Sequence, residues 1–60
     1  SVFAVRDIDP GEVLDDRAIA VLRAGKLAHG LPPERYPALL GRRAARAIPA
    51  NTAVVAADVE

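Results

Sequence analysis

The 60-residue chain has no cysteine, no methionine and no tryptophan. It has one histidine and two aromatic residues, Phe3 and Tyr36. Without cysteine there is neither a disulfide framework nor a thiolate metal site, and a single histidine cannot build a His-rich metal site. The same poverty excludes Ser-His-Asp and Cys-His nucleophile sets, since His29 has little to orient it. Net charge is also missing: eight basic and eight acidic residues cancel. That argues against a general nucleic-acid binder, whose balance is strongly basic. No apolar run approaches the roughly 20 residues needed to span a bilayer, so no membrane partner is expected. The first ten residues carry Arg6, Asp7 and Asp9 and lack the apolar core of a secretory leader, which points to a cytoplasmic protein.

What is present is a 52% apolar composition drawn mostly from Ala, Val, Leu and Ile. This suits one small core, hence a single domain over residues 1–60. A domain of this size buries only about 60% of its chain surface and gains from docking onto a larger body. The start at Ser1, without an initiator Met, reads as a piece of a larger chain. Charge is segregated. Residues 1–16 hold five acids and one base, residues 17–46 seven bases and one acid, and the tail adds Asp58 and Glu60. The basic middle suits an anionic ligand or an acidic partner face, or else a solvated surface with local ion pairs.

Val2–Arg6 reads as a strand, followed by a turn at Asp9-Pro10-Gly11-Glu12. Asp15 or Asp16 caps a short helical turn through Arg17–Ile19, a better role for this adjacent pair than acid–base chemistry. Ala20–Arg23 reads as a second strand and residues 24–30 as a loop. Pro37 interrupts any continuous helix over 33–40, leaving a short turn from Pro37 to Leu40 that ends at Gly41. Tyr36, Leu39 and Leu40 are then expected to face the core, as is Phe3. Ala44–Ile48 and Ala53–Val55 read as further strands around a Pro49–Thr52 turn, with Ala57–Val59 a closing turn.

One pattern goes further. Residues 5–19 (VRDIDPGEVLDDRAI) lie on residues 45–59 (ARAIPANTAVVAADV) at an offset of 40 without a gap. Arg6 falls on Arg46, Ile8 on Ile48, Gly11 on Asn51 and Ile19 on Val59. Gly and Asn both tolerate the left-handed backbone a tight turn can require. A duplicated unit predicts two interlocked halves about a pseudo-twofold axis.

The opening SVFAVRDIDPGEVL and the stretch LPPERYPALLGRRAARAIPANTAVVAADVE resemble the SAF domain family, which includes type III fish antifreeze proteins and the C-terminal domain of sialic acid synthases. The Pro-containing turn, the Tyr, Leu-Leu-Gly-Arg and Ile-Pro-Ala-x-Thr look like the synthase branch. The resemblance implies a β-clip: a small, mostly-β domain of short twisted strands with 3₁₀ or helical turns. It implies the C-terminal, non-catalytic piece of a transferase that condenses phosphoenolpyruvate with an N-acyl amino sugar. The barrel that precedes it would hold the divalent metal, Mn or Mg, and no cofactor belongs to residues 1–60. The small domain would reach over the partner subunit's TIM-barrel mouth in a swapped homodimer.

In that family an arginine from an Arg-Pro-Gly segment contacts the sugar's N-acyl group. The matching segment is Arg23-Ala24-Gly25, so Arg23 is the implied substrate-binding residue; its planar fork can donate to an acyl carbonyl and stay charged. Ala24 replaces the family's Pro, and the connection through Lys26-Leu27-Ala28-His29 is longer, making Lys26 and His29 further candidate loop contacts. Arg42, Arg43 and Arg46 suit an anionic group or a docking face, with strand alternation separating Arg43 from the other two. An ice-binding role is disfavoured, because Arg6, Asp7, Glu12, Asp15, Asp16, Arg17 and Arg43 charge a face that ice recognition needs nearly uncharged. The alternative is a SAF binding module of the kind found in periplasmic flagellar and pilus assembly proteins.

Overall fold

A computed structural model of the chain describes residues 1–23, 25 and 29–60. Two short strands, β1 (Val2–Ala4) and β2 (Ile19–Val21), pair antiparallel, with Val2 opposite Val21, Phe3 opposite Ala20 and Ala4 opposite Ile19. β1 is the central ribbon. Its other edge bonds residues 51–54: the Ala4 N–H donates to the Thr52 carbonyl (2.9 Å), and the Ala4 carbonyl accepts from the Asn51 N–H (2.8 Å). The Val2 carbonyl accepts from the Val54 N–H at 2.9 Å.

The duplicated sequence is a duplicated structure. Ile8 and Ile48, which the offset of 40 equates, bond each other through both backbone pairs at 2.9 Å and so lie at the pseudo-twofold axis. The bridge between Phe3 and Ala53 has its image in the bridge between Val13 and Arg43, and the pairing of Ala4 with Ile19 has its image in that of Ala44 with Val59. The hydrogen bonds around Ala4 recur around Ala44, whose N–H donates to Glu12 (2.9 Å) and whose carbonyl accepts from Gly11 (2.7 Å). Both tight turns require a left-handed residue, Gly11 at φ +85° and Asn51 at φ +65°.

The core interlocks the halves. Ala4, Ile8 and Leu14 from one half pack with Ala44, Ile48 and Val54 from the other, joined by Val2, Ala18, Ile19 and Leu39. Phe3 is also buried, but it lies outside this cluster, as alternation along β1 demands of a residue between Val2 and Ala4.

Several expectations need correction. The first strand stops at Ala4 rather than Arg6, and the second spans Ile19–Val21 rather than Ala20–Arg23. Residues 44–48 and 53–55 form single bridges, not strands, because each turns away after one or two pairings to close its half around the axis. The strand alternation expected for Arg42, Arg43 and Arg46 therefore does not apply. A 3₁₀ turn (Pro33–Arg35) runs straight into a one-turn helix, α1 (Tyr36–Leu39). Pro37 does not break them apart, because it stands in the first turn of α1, where its missing N–H costs nothing. Leu39 is buried and Tyr36 packs against the core, but Leu40 is 39% exposed because the chain has already left the helix in extended conformation. A second 3₁₀ turn, Ala56–Asp58, closes the chain.

Candidate functional site

Arg23 stands two residues past β2, at the exposed end of the β1–β2 ribbon. The backbone leading to it is held: the Leu22 N–H donates to the Ser1 carbonyl (2.8 Å), and the Ser1 nitrogen donates to the Leu22 carbonyl (3.0 Å). Beside it lies a shallow depression of about 90 Å³ lined by Phe3, Leu22, Arg23 and Asn51. Phe3 forms the floor because it points away from the main core, and Asn51 enters because its backbone is bonded to Ala4 across β1.

The arginines divide into two groups. Arg6 meets Glu12 at 3.0 Å, Arg43 donates to the Gly11 carbonyl at 2.8 Å, Arg46 meets Asp58 at 2.6 Å, and Arg42 donates to the Glu60 carbonyl. These four tie the surface of the fold together. Arg17, Arg23 and Arg35 are exposed, and their side chains have no hydrogen-bond partner among the described residues.

Of the candidate loop contacts, His29 is exposed, with Nδ1 3.4 Å from the Ser1 hydroxyl. Because Ser1 also pairs with Leu22, His29 and Arg23 belong to the same end of the molecule. Lys26 and Ala24 lie outside the described residues. The sequence did not point to Phe3, Leu22 or Asn51 as site residues: each looked like a strand or turn residue. The one available signal was the period-two alternation that puts Phe3 on the opposite face from Val2 and Ala4.

A second hollow, about 190 Å³, lies between α1 and the closing turn, lined in part by Arg35, Leu39, Arg42 and Val59.

Four of the eight carboxylates are engaged within the fold. Asp7 accepts from the Ala50 N–H (2.8 Å), Asp15 from the Arg17 N–H (2.9 Å) and Asp58 from the Val55 N–H (3.0 Å). Glu12 accepts from the Asp9 N–H (2.8 Å) as well as from Arg6. That backbone bond, with the Arg6 guanidinium beside it, holds the Glu12 carboxyl below the ordinary glutamate range. Among the described residues no three His, Asp or Glu side chains gather as a metal site would need. No helix among them is long and apolar enough to cross a membrane.

The SAF domain family matches residues 1–60. The chain is a SAF domain. It is 38% identical over 60 residues to pseudaminic acid synthase of Helicobacter pylori, covering all of this chain and 17% of that protein. It is 41% identical over 59 residues to the spore coat polysaccharide biosynthesis protein SpsE of Bacillus subtilis, covering 97% of this chain and 16% of that protein. The crystal structure of the Bacillus subtilis protein superposes on the whole SAF domain with a TM-score of 0.95 at 39% identity. The expected β-clip fold and the kinship with sugar-acid synthases are both borne out. The SAF domain spans about one-sixth of the length of these relatives.

Proposed function

We propose that this SAF domain is the C-terminal cap of a nonulosonic acid synthase that condenses phosphoenolpyruvate with an N-acyl amino sugar. It covers the barrel mouth of the partner subunit, excludes water from the reacting centre and presents Arg23 to the sugar's N-acyl carbonyl. The observation that carries this reading is the exposed Arg23 at the fixed end of the ribbon, beside a depression, in a domain kin to a sugar-acid synthase. A guanidinium with no partner among the described residues has donors to offer an acyl oxygen. In this reading the divalent metal, Mn or Mg, is held by the barrel. The carbon–carbon bond chemistry belongs there too.

The test uses the full-length enzyme, phosphoenolpyruvate, a divalent metal and a panel of N-acyl amino sugars, following phosphate release. Arg23→Ala should lower kcat/KM for the sugar about 10- to 100-fold, the range for a hydrogen bond from a charged donor. KM for phosphoenolpyruvate should change little. Equal loss for both substrates would contradict the cap role. No sugar-dependent release from any member of the panel would favour the assembly-module alternative.

A further inference from the structure

We infer that the hollow between α1 and the closing 3₁₀ turn is a docking socket for the body of the enzyme, and that its occupant is an acidic side chain carried on an apolar loop of the barrel. This rests on the reading above for the presence of a barrel, and goes beyond it by assigning the surface on which the cap is seated. The socket shares no lining residue with the depression beside Arg23.

The lining has an apolar part and a basic part. Leu39 belongs to the core, and the half-buried Leu31 and Val59 pack against it, so the floor is an outcrop of the core itself. That floor is fixed by the backbone. The Leu31 N–H donates to the Val54 carbonyl at 2.8 Å, the Val59 N–H to the Ala56 carbonyl at 3.2 Å, and the Arg42 N–H to the Leu39 carbonyl at 3.0 Å. Two exposed arginines, Arg35 and Arg42, complete the lining. The volume of about 190 Å³ admits a whole side chain.

Charge decides what fits. All eight carboxylates of the chain belong to described residues, and the ion pairs among them are Arg6 with Glu12 and Arg46 with Asp58. Arg43 is engaged as well, on the Gly11 carbonyl. Arg35 has no such partner, and Arg42 gives one of its five N–H donors to the Glu60 carbonyl. No lining residue is acidic. The socket therefore presents two positive charges beside an apolar floor, with no internal charge to answer them. A carboxylate can take paired N–H bonds from guanidinium groups, and its apolar neighbours can cover the floor. A nucleic acid would need a far larger basic surface than two arginines in a chain of zero net charge. A protein segment is the better fit, and the larger part of the enzyme supplies one, since this domain spans only one-sixth of its relatives' length. So small a domain buries little surface alone and is stabilised by being seated.

The experiment takes the full-length enzyme carrying Arg35→Lys, which puts an amine at the socket, and treats it with a carbodiimide that joins touching amines and carboxylates. Digestion and mass spectrometry should show position 35 joined to an Asp or Glu of the barrel. The same join should not form from Arg17→Lys, an exposed position outside the socket, and should be lost when Ala38→Trp is added to Arg35→Lys, because the indole fills the hollow. Arg35→Glu in the otherwise wild-type enzyme should lower kcat/KM for the sugar about 5- to 50-fold, since a like charge then faces the carboxylate. Replacing the coupled barrel acid by Lys in that variant should restore most of the loss, which a merely structural role for Arg35 would not allow. Failure of that rescue overturns the socket, as does coupling only to acids within residues 1–60 or no coupling at all. If position 35 fails to couple while Arg23→Ala selectively impairs the sugar, the socket is refuted and the cap role stands. If position 35 couples to the barrel while Arg23→Ala impairs both substrates equally, the cap role fails and the socket stands as a contact between domains.

Discussion

Replacing Asp58 should reveal how the second half of the domain is closed. Its carboxylate is buried, with a side chain 9% exposed, and it does two things at once. One oxygen accepts from the Val55 N–H at 3.0 Å, capping the closing 3₁₀ turn, and the other meets Arg46 at 2.6 Å. Loss of such a cap costs about 1 kcal/mol. The pair with Arg46 adds about 0.2–1 kcal/mol, because the arginine side chain is 58% exposed and its charge is screened. Together these put the expected cost of Asp58→Ala at about 1.2–2 kcal/mol. A domain of this length has a stability of only about 3–9 kcal/mol. The melting temperature should therefore fall by roughly 5–16 °C in a thermal melt followed by circular dichroism. Steric strain does not enter: the equivalent position in the first half is Ala18, fully buried in the same turn. Arg46→Ala should cost less than half as much, since the Val55 cap survives, and Asp58→Asn should fall between, keeping an acceptor without the charge. If Arg46→Ala matches or exceeds Asp58→Ala, the ion pair rather than the backbone cap closes the half, and the reasoning is wrong.

Two further perturbations test other parts of the frame. The Glu12 carboxyl is held below its ordinary range first by the Asp9 N–H and then by Arg6, so its contribution is complete above that range and is lost as pH falls through the folded-state value. Urea midpoints should accordingly decline on the acid side of the glutamate range, and Glu12→Gln should flatten that part of the profile; an unchanged profile would remove the turn from the account. A methyl group on Gly30 would sit 2.5 Å from the Val54 carbonyl oxygen and 3.0 Å from both the Ala53 Cβ and the Val2 carbonyl oxygen. Because two of these are backbone atoms, Gly30→Ala should destabilise by about 3 kcal/mol or more, the upper range for overpacking, and a melt near wild type would show that this crossing can open.

Much of the fold was legible because its signals are local and repeated. Gly11 and Asn51, Ile8 and Ile48, and Ile19 and Val59 could be aligned on paper, and the backbone repeats its pairing at those positions. The regular strands were overestimated for a physical reason. Runs such as Ala44–Ile48 are apolar enough to pair, but in a clip each segment bonds for a residue or two and then turns around the axis, so β propensity overstates ladder length. Leu40 was misplaced by helical periodicity that stops one residue earlier. The site was legible only as far as Arg23, through the resemblance of Arg23-Ala24-Gly25 to a family segment. Its companions were hidden, because what puts Phe3, Leu22 and Asn51 around one depression is the pairing of three distant segments, and nothing in residues 3, 22 and 51 announces that they meet.

The duplication also explains where function can sit in so small a domain. An interlocked pair of clips places its conserved geometry at the axis, where Ile8 bonds Ile48, and a change there is felt by both halves. Positions far from the axis are free to differ. They do so in pairs: Phe3 against Arg43, Asn51 against Gly11, Ala18 against Asp58. Two of these differences add ties: Arg43 reaches the Gly11 carbonyl of the first half, and Asp58 holds Val55 and Arg46 within the second. Phe3 and Ala18 make no such ties, and Phe3 lines the depression that Leu22, Arg23 and Asn51 complete. Breaking the symmetry of a repeated unit thus gives both added internal ties and an open depression without lengthening the chain.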